Sequence, residues 1–438
     1  MLNLEHIAEK IERKANQKKD YPKDFCFKSY EELTKFAETH DKCKYMKGSK
    51  VLELHNFTAE DDLMIFQKLS LAHIEKIIFE NCDLSNPHFT KLFKKMGMFP
   101  EVSDWTFAHC TLDKQIIDIF LKSKFTKNAE KITVEHKKDQ EENLVYILSL
   151  PSIQTVTSVS LRGGKVSNPV LNALFESEIL PNLVHLDLSN NFLKGRIQPV
   201  VEEGEGEEVP MIPEIELETT FFKDMVTPKL RCLSLRKSHI SDRMVEQICS
   251  NKSLRELKSL DLSSNFNIEK KLINIPNSKI LKNLEELHLR NVELTYDTLL
   301  ELISSPNFSN MKKLDVGLNY SLKDEIPVIL LDEPFIRYLT HLNFEKCDLT
   351  NESLKVLSEN RHLGNLEVLD ISNNPNLTVK SIFDEIEDLS LFSKLKKIYC
   401  FGNGLSNEEI AKLNKEYHIK LINETEHHFL LHNIDDYF

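Results

Sequence analysis

The stretch Leu183-Val-His-Leu-Asp-Leu-Ser-Asn-Asn-Phe-Leu193 decides how the rest of the chain is read. Leu186 and Leu188 alternate with His185, Asp187 and Ser189, so a short strand here turns one apolar face inward. Counting Leu183 as position 1, apolar residues stand at positions 1, 4 and 6, and Asn191 at position 9. Downstream the frame begins again at residues 230, 257, 284, 311, 339, 366 and 395. Upstream it is weaker, at 156, 129, 102 and 74, with a degenerate copy at Ser49-Lys-Val-Leu-Glu-Leu54. The intervals run from 25 to 29 residues, apart from one of 47 between Leu183 and Leu230. A period held that closely marks a repeat array.

The unit from Leu339 to Arg361 supplies the physics. Leu342 and Phe344 face inward, Cys347 and Leu349 close a turn, and Thr350 can cap a helix whose Leu354 and Leu357 reach the same core. Ser406-Asn-Glu-Glu409 and Ser29-Tyr-Glu-Glu32 have the spacing of a capping box at two other helix starts. Each unit of about 27 residues therefore predicts one short strand and one outer helix, α/β in class.

These residues resemble the ribonuclease-inhibitor-like class of leucine-rich repeats. The resemblance covers roughly 49–423 and implies a horseshoe solenoid of about 13 repeats, with a parallel inner sheet and helices outside. Two features depart from that class. Its turn glycines are largely missing, and position 9 is often Cys (82, 110, 347), Ser238 or Val292, while Asn191, Asn265, Asn319, Asn374 and Asn403 keep the Asn. The cysteines read as small buried turn residues rather than ligands or nucleophiles.

Outside the array, residues 1–48 lack the frame; Leu4, Ile7 and Ile11 form one apolar helical stripe, and Leu33 and Phe36 suggest another. An N-terminal helical cap over the first repeat is expected. The long interval holds an insertion at about 195–222 with eight Glu and no base after Arg196. Such a loop is a solvated excursion or a docking segment for a basic partner, and its Val209-Pro-Met-Ile-Pro stretch adds apolar anchors. Residues 424–438 form a C-terminal cap or tail, with Phe429, Leu430, Ile434 and Phe438 available to cover the last repeat. The short acidic, apolar tail and the irregular repeats are similar to effectors of intracellular bacteria such as Legionella, and a protist protein would look much the same.

Composition narrows the function. The 438 residues carry 69 acids and 56 bases, a net −13, which disfavours sequence-blind nucleic-acid binding. No secretory signal or membrane-length apolar run is visible. Eight scattered cysteines with no CxxC pair suggest free thiols in a reducing, cytoplasmic setting, the host cytosol for a secreted effector. Glu424, His428 and His432 share helical spacing but lack a zinc motif. Gly163-Gly-Lys-Val-Ser167 echoes a phosphate loop without its first glycine. No catalytic motif stands out, so the chain reads as a non-enzyme without cofactor, and as a monomer.

Positions 3, 5 and 7 of the frame point away from the core, onto the concave surface that the resemblance implies. Arg162, Arg236 and Arg290 alternate with serines at position 7, beside Asp187, Asp261, Asp315 and Asp370 at position 5. The Asp column is common habit in such repeats; the Arg column is not. Arginine and aromatic residues are the usual anchors of interfaces, so Arg162, Arg236, His288, Arg290, His341, Tyr399 and Phe401 are the expected contact residues. The expected function is a scaffold that binds another protein. The alternative is a GTPase activator, because proteins activating the Ran GTPase are similar in combining helix-bearing repeats with an acidic segment. In those proteins the acidic run follows the repeats, whereas here it interrupts them.

Overall fold

A computed structural model describes residues 24–39, 50–58, 74–85, 102–112, 114–121, 129–135, 141–150, 153–163, 166–193, 195–196, 216–217, 220–266, 268–323, 334–358, 360, 362–377, 394–404, 406–416 and 419–422. The chain divides into two compact units, Met1–Gly164 with Ser177–Ile179, and Lys165–Glu176 with Leu180–Phe438.

In the first unit six strands pair in parallel, each with its sequence neighbour. They are β1 (Asp24–Phe27), β2 (Val51–His55), β3 (Lys76–Glu80), β4 (Asp104–Ala108), β5 (Lys131–Glu135) and β6 (Ser158–Arg162). Leu52, Ile77, Trp105 and Ile132 at position 4 are buried, and behind them the Phe79 and Phe107 rings stack at 5.7 Å.

In the second unit β7 (His185–Asp187) is followed by β8 (Gly195–Arg196) and β9 (Glu216–Leu217), an antiparallel pair at the base of the acidic insertion. The parallel succession then resumes with β10 (Cys232–Ser234), β11 (Ser259–Asp261), β12 (Glu286–His288), β13 (Lys313–Asp315), β14 (His341–Asn343), β15 (Val368–Asp370), β16 (Lys397–Tyr399) and β17 (Lys420–Ile422). β7 pairs with β10, and each later strand with the next. Leu186, Leu233, Leu260, Leu287, Leu314 and Leu342 form one buried line at position 4.

The two units differ in strand length for a chemical reason. β2 to β6 have 5 residues each, whereas β7 and β10 to β17 have 3. In β7, β11, β13, β14 and β15 an Asp or Asn at position 5 takes up the amide two residues on. Ser189, Ser263 and Ser372 donate their N–H groups to Asp187, Asp261 and Asp370 at 2.9 Å, and Gly317 donates to Asp315 at 3.0 Å. The intercepted amide would otherwise extend the ladder, so these strands stop; β10, β12 and β16, with Ser234, His288 and Tyr399 at position 5, lie among them and are as short. In the first unit position 5 is Glu53, Ile78, Thr106, Thr133 or Ser160, and the ladder continues.

Position 8 turns the chain out of the strand with a positive φ. Asn56, Asn81, Asn190, Asn291 and Asn373 do so at φ 52–59°, and Gly163 and Gly402 at 73°. Asparagine tolerates this region, which explains how the array dispenses with most turn glycines. Lys237, Leu318 and Lys346 adopt the same conformation at a steric cost of roughly 1–2 kcal/mol each.

Position 9 ties each turn to its neighbours. Asn265 donates to the carbonyls of Leu235 (2.8 Å) and Leu262 (2.7 Å), and its Oδ1 accepts from the amides of Ser238 (2.9 Å) and Ile240 (3.3 Å). Asn319 and Asn374 repeat the pattern. Where the residue is Cys or Ser, a smaller donor reaches the same preceding-repeat carbonyl. Cys82 Sγ lies 3.3 Å from Leu54 O, Cys110 Sγ 3.4 Å from Phe79 O, Cys347 Sγ 3.3 Å from Val316 O, and Ser238 Oγ 2.7 Å from Leu188 O. Burial pushes the Cys347 thiol up to about 12, which suits a donor and not a nucleophile.

Helices follow strands on the core side. At Asn407–Glu416 the capping box closes in both directions: Glu409 N–H donates to Ser406 Oγ at 3.2 Å, and Ser406 N–H to Glu409 Oε2 at 2.9 Å. At Tyr30–Thr39 the Glu32 amide donates to Ser29 Oγ at 3.3 Å.

Within the span 1–48, where an N-terminal helical cap is expected, the described residues hold the helix Tyr30–Thr39 and also β1, registered on β2 through Phe25↔Leu52 and Phe27↔Leu54. Phe25 and Phe27 take positions 4 and 6, as Trp105 and Phe107 do in β4, but position 1 is Pro22 in place of the usual apolar residue. The apolar stripe at Leu4, Ile7 and Ile11, the acidic run 197–215 and the tail 424–438 lie outside the described residues. Among the described residues no helix is long and apolar enough to cross a membrane.

Candidate functional site

The face of the sheet turned away from the helices is built from positions 3, 5 and 7. In the second unit the parallel register aligns position 5 into an unbroken row: Asp187, Ser234, Asp261, His288, Asp315, Asn343, Asp370 and Tyr399. Neighbours in this row sit about 4.8 Å apart, so they screen one another. Asp315 is 0% exposed, Asp370 1% and His288 3%.

Over this row lies one long side chain. Arg290, at position 7 after β12, extends across position 7 after β13 to Glu345 after β14, with Nη2 2.5 Å from Glu345 Oε2 and Nη1 3.6 Å from Asp315 Oδ1. The crossing is possible because the intervening residue is Gly317. A Cβ there would stand 2.7 Å from Arg290 Nη1, closer than real Cβ contacts. Asn373 Nδ2 donates to the other Glu345 oxygen at 2.9 Å. Burial works against the Arg290 charge, but Asp315 and Glu345 more than offset it and hold its pKa above the ordinary guanidinium value.

Two titratable groups in these rows are displaced far from normal. Burial pushes the Asp370 carboxyl up to about 7; the Ser372 amide works the other way, while Glu345 and Asp315 add to the rise. Its Oδ2 is buried without a hydrogen-bond partner among the described residues. Burial pulls the His341 imidazole down to about 4, helped by the Lys313 ammonium.

No family model matches the sequence, and no curated protein does. Solved structures do match. A chain in the crystal structure of the Rad7 and Elc1 complex in yeast superposes with a TM-score of 0.55 at 14% identity, over 90% of this chain and 88% of that one. The internalin InlF from Listeria monocytogenes gives 0.39 at 15% identity over 81% and 82%. The functional domain of InlJ from Listeria monocytogenes gives 0.34 at 16% over 66% and 46%. The first likeness joins the parallel register and the position-9 ladder.

This is a leucine-rich-repeat fold.

Within the leucine-rich-repeat frame, the residues expected to make contact fall into different environments. In the first unit Arg162 is half-exposed and paired with Glu135 at 3.6 Å. In the second, His288 and Arg290 are drawn into the buried network around Asp315. His341 is partly exposed at position 3, with Nδ1 2.9 Å from Thr340 Oγ1. Tyr399 is 8% exposed beside Asp370, and Phe401 is partly exposed at position 7. Arg236 is partly exposed and has no ion pair among the described residues.

Sequence reasoning passed over position 10. There Phe192 (43% exposed), Phe266 (47%) and Tyr320 (51%) leave large apolar surfaces in solvent along the turn edge of the repeats. Phe192 stacks on His239 at 4.1 Å, and Lys346 Nζ stands 5.7 Å from the Tyr320 ring centre. The signal was present as an aromatic directly after the ladder Asn: Asn191-Phe192, Asn265-Phe266 and Asn319-Tyr320. Among the described residues, Cys26, Glu53 and His55 of the first unit bring three donor atoms within 4.8 Å of one another.

Proposed function

We propose that this chain is a non-catalytic scaffold, cytosolic in setting, that binds a partner protein through the open sheet face of its second unit and the aromatic edge beside it. The observation that carries this reading is the register itself: side chains stand in straight rows on a hydrogen-bonded ladder. A rigid surface loses little conformational freedom on binding. Arg236, Tyr399 and Phe401 offer the anchors on the face, with His341 between them, and Phe266 and Tyr320 those at the edge. Arg290 supports the face from within, since its guanidinium already serves Asp315 and Glu345, and His288 is buried beside Asp315. The comparison with a Rad7–Elc1 complex, a protein assembly by its name, favours a protein ligand by analogy of fold alone.

The test is affinity capture from lysate with wild type beside Arg236→Glu, Phe401→Ala and the double change Phe266→Ala/Tyr320→Ala. A partner lost with these variants supports the reading. A partner kept by all three but lost on deleting 197–218 moves the site to the acidic insertion. The Ran-activator alternative rests on Arg236, the one position-7 arginine without an ion pair among the described residues, which could serve as a transition-state finger. A GTP-hydrolysis assay with candidate GTPases separates the two readings: no stimulation removes the alternative, and a stimulation that Arg236→Ala leaves unchanged removes only that residue from it.

A further inference from the structure

At the opposite end of the sequence, the open face of the first unit breaks its own pattern. Position 5 of β3 to β6 is Ile78, Thr106, Thr133 and Ser160. On β1 and β2 the same row instead pairs Cys26 directly with Glu53, and the next row pairs His55 with Glu80. Cys26 is the one exposed thiol among the described cysteines. Its Sγ lies 3.4 Å from His55 Nε2, and His55 Nε2 lies 3.3 Å from Glu53 Oε2. All three donor atoms are within 4.8 Å of one another. On the far side of the ring, Nδ1 is 2.9 Å from Glu80 Oε2.

We propose that Cys26, His55 and Glu53 form a zinc site, with Glu80 orienting the imidazole and water completing the coordination. Four observations support it. First, sulfur, imidazole nitrogen and carboxylate oxygen are the donor set of Zn²⁺. From its bond lengths, a tetrahedral ion has S···N and N···O edges of about 3.6 and about 3.3 Å. The two distances here, 3.4 and 3.3 Å, lie within about 0.2 Å of those edges before any ion is placed. Second, a ligating histidine characteristically gives its other ring nitrogen to a carboxylate, which fixes tautomer and ring plane, and Glu80 stands in that place. Third, a thiolate and a carboxylate neutralise a dication, so the bound site carries no net charge. Fourth, the three ligands come from two strands in fixed register, so little backbone has to move. The outward exposure of the cluster leaves the fourth position to solvent, and the soft thiolate disfavours Mg²⁺ and Ca²⁺.

The test uses the full-length, metal-free chain with Zn²⁺ in competition with a chromophoric chelator, and with Co²⁺ as an optical probe. One equivalent of metal is expected. Co²⁺ should give intense visible bands of tetrahedral geometry and a thiolate charge-transfer band in the near ultraviolet. Cys26→Ser should abolish the charge-transfer band, and His55→Ala should abolish stoichiometric binding. Glu80→Gln should keep the stoichiometry and weaken affinity by roughly 10–100-fold. Far-UV circular dichroism checks that each surface variant is folded. Failure of the wild-type chain to bind Zn²⁺ or Co²⁺ stoichiometrically overturns the proposal. So does binding that survives unchanged in both Cys26→Ser and His55→Ala, which would place the metal on other residues.

Discussion

Asp370 shows how much one atom can matter in a repeat. Its Oδ1 is required, because it accepts the Ser372 amide at 2.9 Å. Its Oδ2 has no hydrogen-bond partner among the described residues. In the neighbouring repeat Asn343 does the same work with a neutral amide, accepting from Glu345 N–H at 2.7 Å. The folded carboxyl titrates near 7, against roughly 3.9 in an unfolded chain. A raised carboxyl pKa contributes stability that is fully present below the unfolded value and is lost as pH rises through the folded one. Asp370→Asn should therefore stabilise the protein at pH 8, with the advantage shrinking toward pH 5 by at most about 1.4 kcal/mol per pH unit. Thermal melts of the two proteins across that range check it; a pH-independent difference would refute the assignment. None of this was legible in the Asp column, which looks the same at 187, 261, 315 and 370. The Arg290 lock was closer to legible. Arg290, Gly317 and Glu345 are successive members of the position-7 row, and reading along that row exposes the gap that the glycine leaves.

At the scale of the element, the position-9 ladder holds each turn in place, and its residues differ in how many bonds they can supply. Removing Asn265 leaves the Leu235 and Leu262 carbonyls and the Ser238 and Ile240 amides short of their side-chain partner. An unsatisfied buried group costs about 1–3 kcal/mol. Asn265→Ala should thus lose at least about 3 kcal/mol in chemical denaturation. Asn265→Ser should lose less, because its hydroxyl can still reach the preceding carbonyl as Ser238 reaches Leu188. Equal losses would show that the ladder acts through packing alone. Strand positions were readable from sequence wherever the period carried the frame, β4 with Trp105 and Phe107 included. β1 was missed because Pro22 stands at position 1, although Phe25 and Phe27 fill positions 4 and 6. The Cys26–Glu53–His55 cluster was also invisible to a search for local metal spacing, since one ligand sits 27 residues from the next and only strand register joins them.

For the molecule as a whole, a repeat array is coupled through nearest neighbours, and damage should stay local. Trp105 is fully buried in β4, and Trp105→Ala should cost about 3–5 kcal/mol. Amide hydrogen exchange should accelerate across β3 to β5 and stay unchanged around β14 and β15. Uniform acceleration would mean that the chain unfolds as one cooperative body. The direction of coupling also has a meaning in time. The amides of Ser238 and Ile240 are closed by Asn265, those of Val292 and Leu294 by Asn319, and those of Cys347 and Leu349 by Asn374. In each case the closing side chain belongs to the next repeat. A ribosome delivers the earlier repeat first, so its turn waits with two amides open until roughly one further repeat has left the exit tunnel. During synthesis the newest repeat is always the unfinished one.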